Sequence, residues 1–125
     1  MSLHNTFVAT YAHHKMAELD IENMQNAGFD MQKLRIISHN PYHIAEQRRI
    51  APVLNSFGEL DAAFFACIPE QDIVDFEAEL GTGRLFIVAH GSPEEIEQAK
   101  RIADAIHPTS WDGLADAAVY YGCND

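Results

Sequence analysis

The chain has 125 residues, 47% of them hydrophobic, which is enough for one compact domain with its own core. Its 19 acidic residues against 8 basic residues give a formal charge of -11. A surface of this charge repels phosphate backbones and anionic lipid, so we expect no nucleic-acid partner. No apolar run approaches the roughly 20 residues of a membrane-spanning helix, and the N-terminus lacks the pattern of a signal peptide. We therefore expect a cytoplasmic protein without a membrane span.

Residues 4–40 are predicted to form a first βαβ unit. Thr6 to Tyr11 is short and β-prone, and apolar residues then recur at helical spacing. These helical positions are Met16, Leu19, Met24 and Ala27. Gly28 has the position of a helix C-cap, and Phe29 can pack back on the last turn. Leu34 to His39 has the composition of a second strand.

Residues 41–83 are predicted to be a helical insertion between two βαβ units. Pro52 interrupts a helical pattern that runs from Tyr42 to Ile50. Leu60 to Ile68 is apolar enough for either a helix or a strand, and we favour a helix because its apolar residues share one face. Pro69 begins a further helix, since proline is well suited to a first helical turn.

Residues 84–122 contain the clearest motif of the sequence and are predicted to form the second βαβ unit. Leu85 to Ala89 is an unbroken apolar run, which is typical of a central strand covered on one face. Ser92, Pro93 and Glu95 then have the order of an N-cap, a first helical residue and the second half of a capping box. The helix after them should pack its apolar face on a sheet.

The last strand of this second unit is predicted at Ala117 to Tyr121, where β-prone side chains recur. It should form an edge strand beside Thr6 to Tyr11, either within its own subunit or exchanged with a second one. Two βαβ units give an α+β fold of the ferredoxin-like type, with a four-stranded antiparallel sheet and two helices on one face. Residues 1–3 are expected to lie outside this pattern.

Two blocks of the sequence resemble a known family. They are NAGFDMQKLRII, which ends the first helix, and IPEQDIVDFEAELGTGRLFIVAHGSPEEIEQAKRI, which contains the central strand. The chain is similar here to the bacterial general-stress, or heat-induced-stress, protein domain, an uncharacterised family with some relatives labelled permease-like. The resemblance covers Thr6 to Ser38 and Ile68 to Ile106. It implies a stress association and brings no defined reaction.

The middle of the chain departs from that family. Many of its members carry a long glycine-rich apolar segment between the two blocks, whereas Tyr42 to Cys67 contains only Gly58 and several charges. The membrane association of those relatives is therefore not expected here. The tail from Pro108 lies outside the resemblance.

Histidine is the most chemically suggestive residue type. His39, His43 and His90 lie near predicted strand ends, and with Cys67 or an acidic side chain they could bind zinc, copper or nickel. They also outline a candidate ligand-binding site. Against this, His39 and His43 span a proline turn and so do not share one helical face. Surface or structural histidines are the simpler interpretation.

No catalytic residues are predicted, because the sequence has no nucleophile elbow and neither cysteine has a basic, helix-start setting. Cys67 and Cys123 lie far apart without CxxC spacing, so thiols are favoured over a disulfide. Trp111, Tyr120 and Tyr121 combine apolar rings with polar tips, as interface residues do, although one of them is expected only to close the core.

The sequence therefore supports two hypotheses about function. The first is a non-catalytic, stress-associated interaction or regulatory module that self-associates as a homodimer or higher homo-oligomer and needs no cofactor. The alternative is a small-molecule or metal-binding enzyme that uses a divalent transition metal at a site near His39, His43 and His90.

Overall fold

The computed structural model describes residues 3–39, 50–65, 67–106 and 115–124. These residues form one sheet with helical segments on both of its faces. Its strands are β1 (Leu3–Tyr11), β2 (Leu34–Ile37), β3 (Val53–Leu54), β4 (Leu85–Gly91) and β5 (Ala115–Asn124). The α-helices of the described part are α1 (His14–Asn26), α2 (Ala62–Phe65), α3 (Glu70–Leu80) and α4 (Pro93–Ile106).

The sheet has five strands in the order β3-β2-β4-β1-β5. β1 pairs in antiparallel fashion with β4 and β5, and β2 pairs in antiparallel fashion with β4 and in parallel with β3. The predicted α+β class is confirmed, and β4, which contains the predicted central strand, lies inside the sheet beside β1. The four-stranded antiparallel ferredoxin-like sheet is not what is observed, because β3 adds a fifth strand and a parallel pair.

β3 is only two residues long, and the backbone of the preceding segment completes its pairing with β2. Ile36 N–H donates to Pro52 O at 2.9 Å, and Ser38 N–H donates to Leu54 O at 2.9 Å. A two-residue strand is too short to show the alternation of side chains by which strands are recognised. No local pattern in the sequence therefore predicts this strand.

The two faces of the sheet carry separate cores. On the helix face, which α1 and α4 cover, β1 places Phe7, Ala9 and Tyr11. On the insertion face, which the segment 57–80 covers, β1 places Val8 and β4 places Phe86. All seven residues of β4 are buried. The prediction that this strand is covered on one face is wrong, because the insertion closes the second face, and strands buried on both faces have continuous apolar runs.

Aromatic rings fasten the insertion to the sheet. Phe57 begins a short 3-10 helix (Phe57–Glu59) and is fully buried. Its ring centroid lies 5.5 Å from that of Phe76 in α3 and 4.9 Å from that of Phe86 in β4. The predicted helix from Leu60 to Ile68 contains only the short α2 among the described residues. The predicted helix after Pro69 is confirmed as α3, while the one from Tyr42 lies almost wholly outside the described residues.

The face that α1 buries differs from the predicted one. Its buried residues are Ala17, Asp20, Ile21 and Met24, and Leu19 is 47% exposed. The end of the helix is as predicted: Gly28 has a φ of 83°, and the N–H of buried Phe29 donates to Met24 O at 3.0 Å. At the other end of this unit, β1 begins at Leu3, which pairs with Asn124. The expectation that residue 3 lies outside the fold is therefore wrong.

The predicted capping box of α4 is confirmed. Glu95 N–H donates to Ser92 Oγ at 3.2 Å, and Ser92 N–H donates to Glu95 Oε1 at 2.9 Å. Lys33 Nζ lies 2.8 Å from both carboxylate oxygens of Glu95 and ties the start of β2 to α4. This hydrogen bond from Lys33 is the main reason that the pKa of Glu95 lies below its usual value.

β5 pairs with β1 of its own chain and is longer than the predicted strand. Its register shifts between the pairs Thr6–Tyr120 and His4–Cys123, which marks a β-bulge. Gly122 has a φ of 71° there, and its N–H donates to Asn5 Oδ1 at 3.1 Å. In the part of the chain that the structure describes, no helix has both the length and the apolar character needed to cross a membrane.

Candidate functional site

His39 and His90, two of the three histidines of the predicted site, lie at different places in the sheet. His39 is exposed just after β2, and His90 is buried near the end of β4. Because β2 and β4 are antiparallel, with Ile37 opposite Phe86, His39 lies near the beginning of β4. A strand of this length at about 3.3 Å per residue separates its two ends by about 20 Å. The register therefore does not bring His39 and His90 together.

His43, the third residue of that predicted site, lies outside the described residues. Within the described ranges, no group of three or more histidine, cysteine, aspartate or glutamate side chains is arranged to hold a metal ion. The metal or small-molecule enzyme hypothesis stays a prediction, and the positions of His39 and His90 add no support to it.

His90 instead belongs to a cluster on the insertion face that sequence reasoning missed. It lies directly opposite Thr6 in the β1–β4 pair, so both side chains point to the same face. Thr6 Oγ1 and His90 Nδ1 share a buried hydrogen bond of 2.8 Å. The ring of His4 lies 5.2 Å from the His90 ring, and that of Phe64 in α2 lies 5.6 Å from it. The sequence signal was the alternation of β1, which places His4 and Thr6 on one face.

Cys67 borders this cluster. It is disulfide-bonded, so the expectation of a thiol is wrong at this position. Its Sγ lies 3.7 Å from Thr6 Oγ1 and 3.8 Å from the backbone oxygen of Tyr120 in β5. The even number of cysteines was the signal for a disulfide, and their wide separation in sequence concealed it.

The candidate interface tyrosines have different environments. Tyr120 is half-buried, and its hydroxyl donates to Asp72 Oδ2 of α3 at 2.7 Å. Burial, followed by this hydrogen bond, raises the pKa of Tyr120 above its usual value. Tyr120 of β5 thus packs against the insertion, as expected for one of the three aromatic residues named as interface candidates. Tyr121 is 70% exposed, and Trp111 lies outside the described residues.

Arg35 lies in β2 and uses its guanidinium group in several contacts. Its guanidinium carbon lies 4.6 Å from the centroid of the Phe64 ring, and Nη2 lies 3.0 Å from Asp61 Oδ2. Its Nη1 donates to the backbone oxygens of Gln32 and Leu34 at 2.7 Å and 2.9 Å. The contacts with Phe64 and Asp61 hold α2 and the residue before it against β2, which is a structural role.

Among the described residues, the two edge strands of the sheet differ in length and composition. β3 forms one edge with two residues, and β5 forms the other with ten. Among the ten residues of β5, Asp116 is the one charged residue, and there is no proline. Ala117, Tyr121 and Gly122 are exposed, and the three residues between Ala117 and Tyr121 are partly exposed. Long edge strands with few charged residues and no proline are the kind at which another chain can add a strand.

Comparison of the chain with protein-family models, with curated proteins and with solved structures finds no match. The resemblance to the general-stress domain therefore stays a prediction.

Proposed function

We propose that this protein is a non-catalytic interaction module that self-associates through its edge strand β5. The observation that carries the proposal is the difference in length and composition between the two edge strands of the described sheet. A role in a stress response belongs to the same proposal and rests on the sequence resemblance alone.

The physical basis is the hydrogen-bonding capacity of an edge strand. Backbone N–H and C=O groups on the outer side of a last strand are a template for a further strand, and proteins commonly protect such edges with short length, lysine or proline. β3 has the first of these protections, with only two residues. β5 has ten residues and neither lysine nor proline. Strand addition is therefore favoured at β5.

The bulge at Gly122 defines how much of the strand is suitable for pairing. A bulge bends its strand and increases the local twist, which blocks regular pairing beyond it. The regular part is residues 115–120, whose register with β1 is continuous. Two copies joined antiparallel over this stretch would satisfy a two-fold axis, with each copy presenting the same surface. The expected assembly is a homodimer with one continuous sheet.

Side chains of β5 support the same geometry. Val119 packs partly against the core of the helix face, and Tyr120 packs partly against that of the insertion face. A second strand beside them would cover more of both side chains. Burial of apolar surface stabilises by about 25 cal/mol per Å², which adds to the backbone hydrogen bonds.

Proline substitution at two neighbouring positions gives a matched test. N–H groups of successive strand residues point in opposite directions, so one of Ala117→Pro and Ala118→Pro removes an N–H that faces β1 and the other removes one that faces outward. Urea unfolding tells the two variants apart. The variant that keeps the stability of the wild type is the one that has lost the outward-facing N–H. Leu19→Lys, at an exposed position of α1, is the control for a surface change elsewhere.

Sedimentation velocity at protein concentrations from about 1 to 100 μM then measures the oligomeric state of each protein. This is the concentration range in which weak homodimers form. We expect the wild type and Leu19→Lys to dimerise and the stable proline variant to remain monomeric. A wild type that is monomeric throughout, or a stable proline variant that dimerises as the wild type does, would overturn the proposal.

A further inference from the structure

Cys67 lies where the insertion meets the edge strand. Its sulfur is disulfide-bonded and half-buried, and it lies 3.8 Å from the backbone oxygen of Tyr120. Cys123 is the other of the two cysteines in the chain. The backbone of Cys123 belongs to β5, opposite His4 and beyond the bulge. A bond between the two cysteines would tie the insertion to the end of β5.

We propose that Cys67 and Cys123 form a redox-sensitive latch, and that a thiol reductant opens it and releases the end of β5 from the insertion. The reactant is a dithiol, or two molecules of a low-molecular-weight thiol. This inference concerns one chain and does not rest on self-association.

The end of β5 has a short pairing with β1. In the described part of the chain beyond Tyr120, the pairs His4–Cys123 and Leu3–Asn124 and the hydrogen bond from Gly122 N–H to Asn5 Oδ1 join it to β1. Before the bulge, six pairs from Thr6–Tyr120 to Tyr11–Ala115 continue without a shift. Short terminal stretches beyond a ladder irregularity open with small free energies. Loss of a covalent tie should therefore free residues 121–124 while residues 115–120 stay paired.

A second tie explains why the release would be local. The Tyr120 hydroxyl donates to Asp72 Oδ2 at 2.7 Å, which holds the middle of β5 to α3 by a bond that reduction does not affect. The covalent bond and the hydrogen bond thus act on different parts of the strand. Opening the first should leave the second in place.

The chemistry is thiol–disulfide exchange. A thiolate of the dithiol attacks one sulfur of the protein disulfide, which breaks the S–S bond, forms a mixed disulfide and expels the other cysteine as a thiolate. The second thiol of the reductant, as its thiolate, then attacks the reductant sulfur of the mixed disulfide. This step forms the disulfide of the oxidised reductant and expels the second cysteine as a thiolate. Two electrons pass to the protein, and the two protons of the dithiol end on the two cysteine sulfurs. The partial exposure of Cys67 gives the attacking thiolate access.

The first experiment identifies the bond. Protein is denatured with iodoacetamide and without reductant, digested, and analysed by mass spectrometry. We expect the peptides of Cys67 and Cys123 to be linked within one chain, with the intact mass of a monomer. Alkylation of Cys67 in most molecules, or a Cys67 linkage between two chains, would overturn the inference.

The second experiment measures the release. Amide hydrogen exchange is followed by mass spectrometry for the wild type with and without dithiothreitol, at a protein concentration where one oligomeric state predominates. We expect exchange of residues 121–124 to accelerate at least tenfold on reduction, with β4 unchanged as the internal reference. Cys67→Ser should exchange like the reduced wild type and should not respond to dithiothreitol. Equal exchange before and after reduction would overturn the latch, and this result is independent of dimer formation.

Discussion

The hydroxyl of Tyr11 donates a hydrogen bond to Oδ2 of Asp20 beneath α1, where both side chains are fully buried. The other carboxylate oxygen, Oδ1, is buried without a hydrogen-bond partner among the described residues. Burial raises the pKa of Asp20 to about 6, against the opposite effect of the Tyr11 hydrogen bond. The folded protein therefore binds a proton at Asp20 more tightly than the unfolded chain does.

This relationship predicts a pH-dependent stability. The folded pKa of about 6 lies above the ordinary value of 3.8, so the folded state holds the extra proton between these values. Stability contributed by this proton is present at low pH and is lost as pH rises through about 6. A shift of about two units corresponds to about 3 kcal/mol, of which about 2 kcal/mol falls between about pH 4.5 and 7.5.

Asp20→Asn isolates this contribution because the amide oxygen can still accept from Tyr11 but does not titrate. When the pH is raised from about 4.5 to about 7.5, we expect the free energy of unfolding of the variant to increase by about 2 kcal/mol relative to that of the wild type. Urea unfolding of both proteins at the two pH values measures the change. A difference between the proteins that does not vary with pH contradicts the raised pKa.

The capping box gives the second prediction. Ser92→Ala removes the oxygen that accepts from Glu95 N–H and should lower the free energy of unfolding by about 1 kcal/mol. Glu94→Ala, at the neighbouring exposed position, is the control and should change it by no more than about 0.5 kcal/mol. Chemical denaturation compares the three proteins. Equal stability of Ser92→Ala and the wild type would show that the cap does not contribute.

The third prediction concerns the attachment of the insertion. Phe57→Ala leaves a cavity between Phe76 and Phe86 and should cost about 3 to 5 kcal/mol. Val74→Ala in α3 removes a side chain that is 57% exposed and should cost less than about 0.5 kcal/mol. Both values come from urea unfolding at neutral pH. A loss below about 1 kcal/mol for Phe57→Ala would mean that the insertion is not fastened by this cluster.

The fourth prediction concerns salt. Each chain carries a formal charge of -11, so two copies repel one another over long distances. A contact made by backbone hydrogen bonds and apolar side chains should therefore become tighter as salt screens the repulsion. We expect the dimer Kd from sedimentation equilibrium to fall several-fold between about 0.05 and 0.5 M NaCl. A Kd that rises with salt points instead to an interface of opposite charges.

Local patterns in the sequence predicted the elements whose signals are local. Ser92 and Glu95 were identified because a capping box is encoded within four positions, and Gly28 was identified because a helix C-cap favours a glycine of positive φ. The strand at β5 was placed correctly because one β-prone stretch remained after α4 to complete the second unit. Its true length was hidden by small and polar residues at both of its ends.

The remaining features depend on tertiary contacts. Asp20 was not expected in the core, since carboxylates are seldom buried, and its partner Tyr11 comes from another element. The separation of His39 and His90 follows from the antiparallel register of β2 and β4, which no local pattern specifies. The disulfide at Cys67 depends on how the insertion folds over the sheet.

Self-association through β5 is tested most directly by amide hydrogen exchange measured at several protein concentrations. If copies pair along β5, exchange in residues 115–120 should slow as the concentration rises through the dimer Kd, while the amides of Val53–Leu54 at the opposite edge keep a constant rate. Exchange in residues 115–120 that does not vary with concentration while sedimentation shows a dimer would place the interface elsewhere and contradict the proposed role of β5.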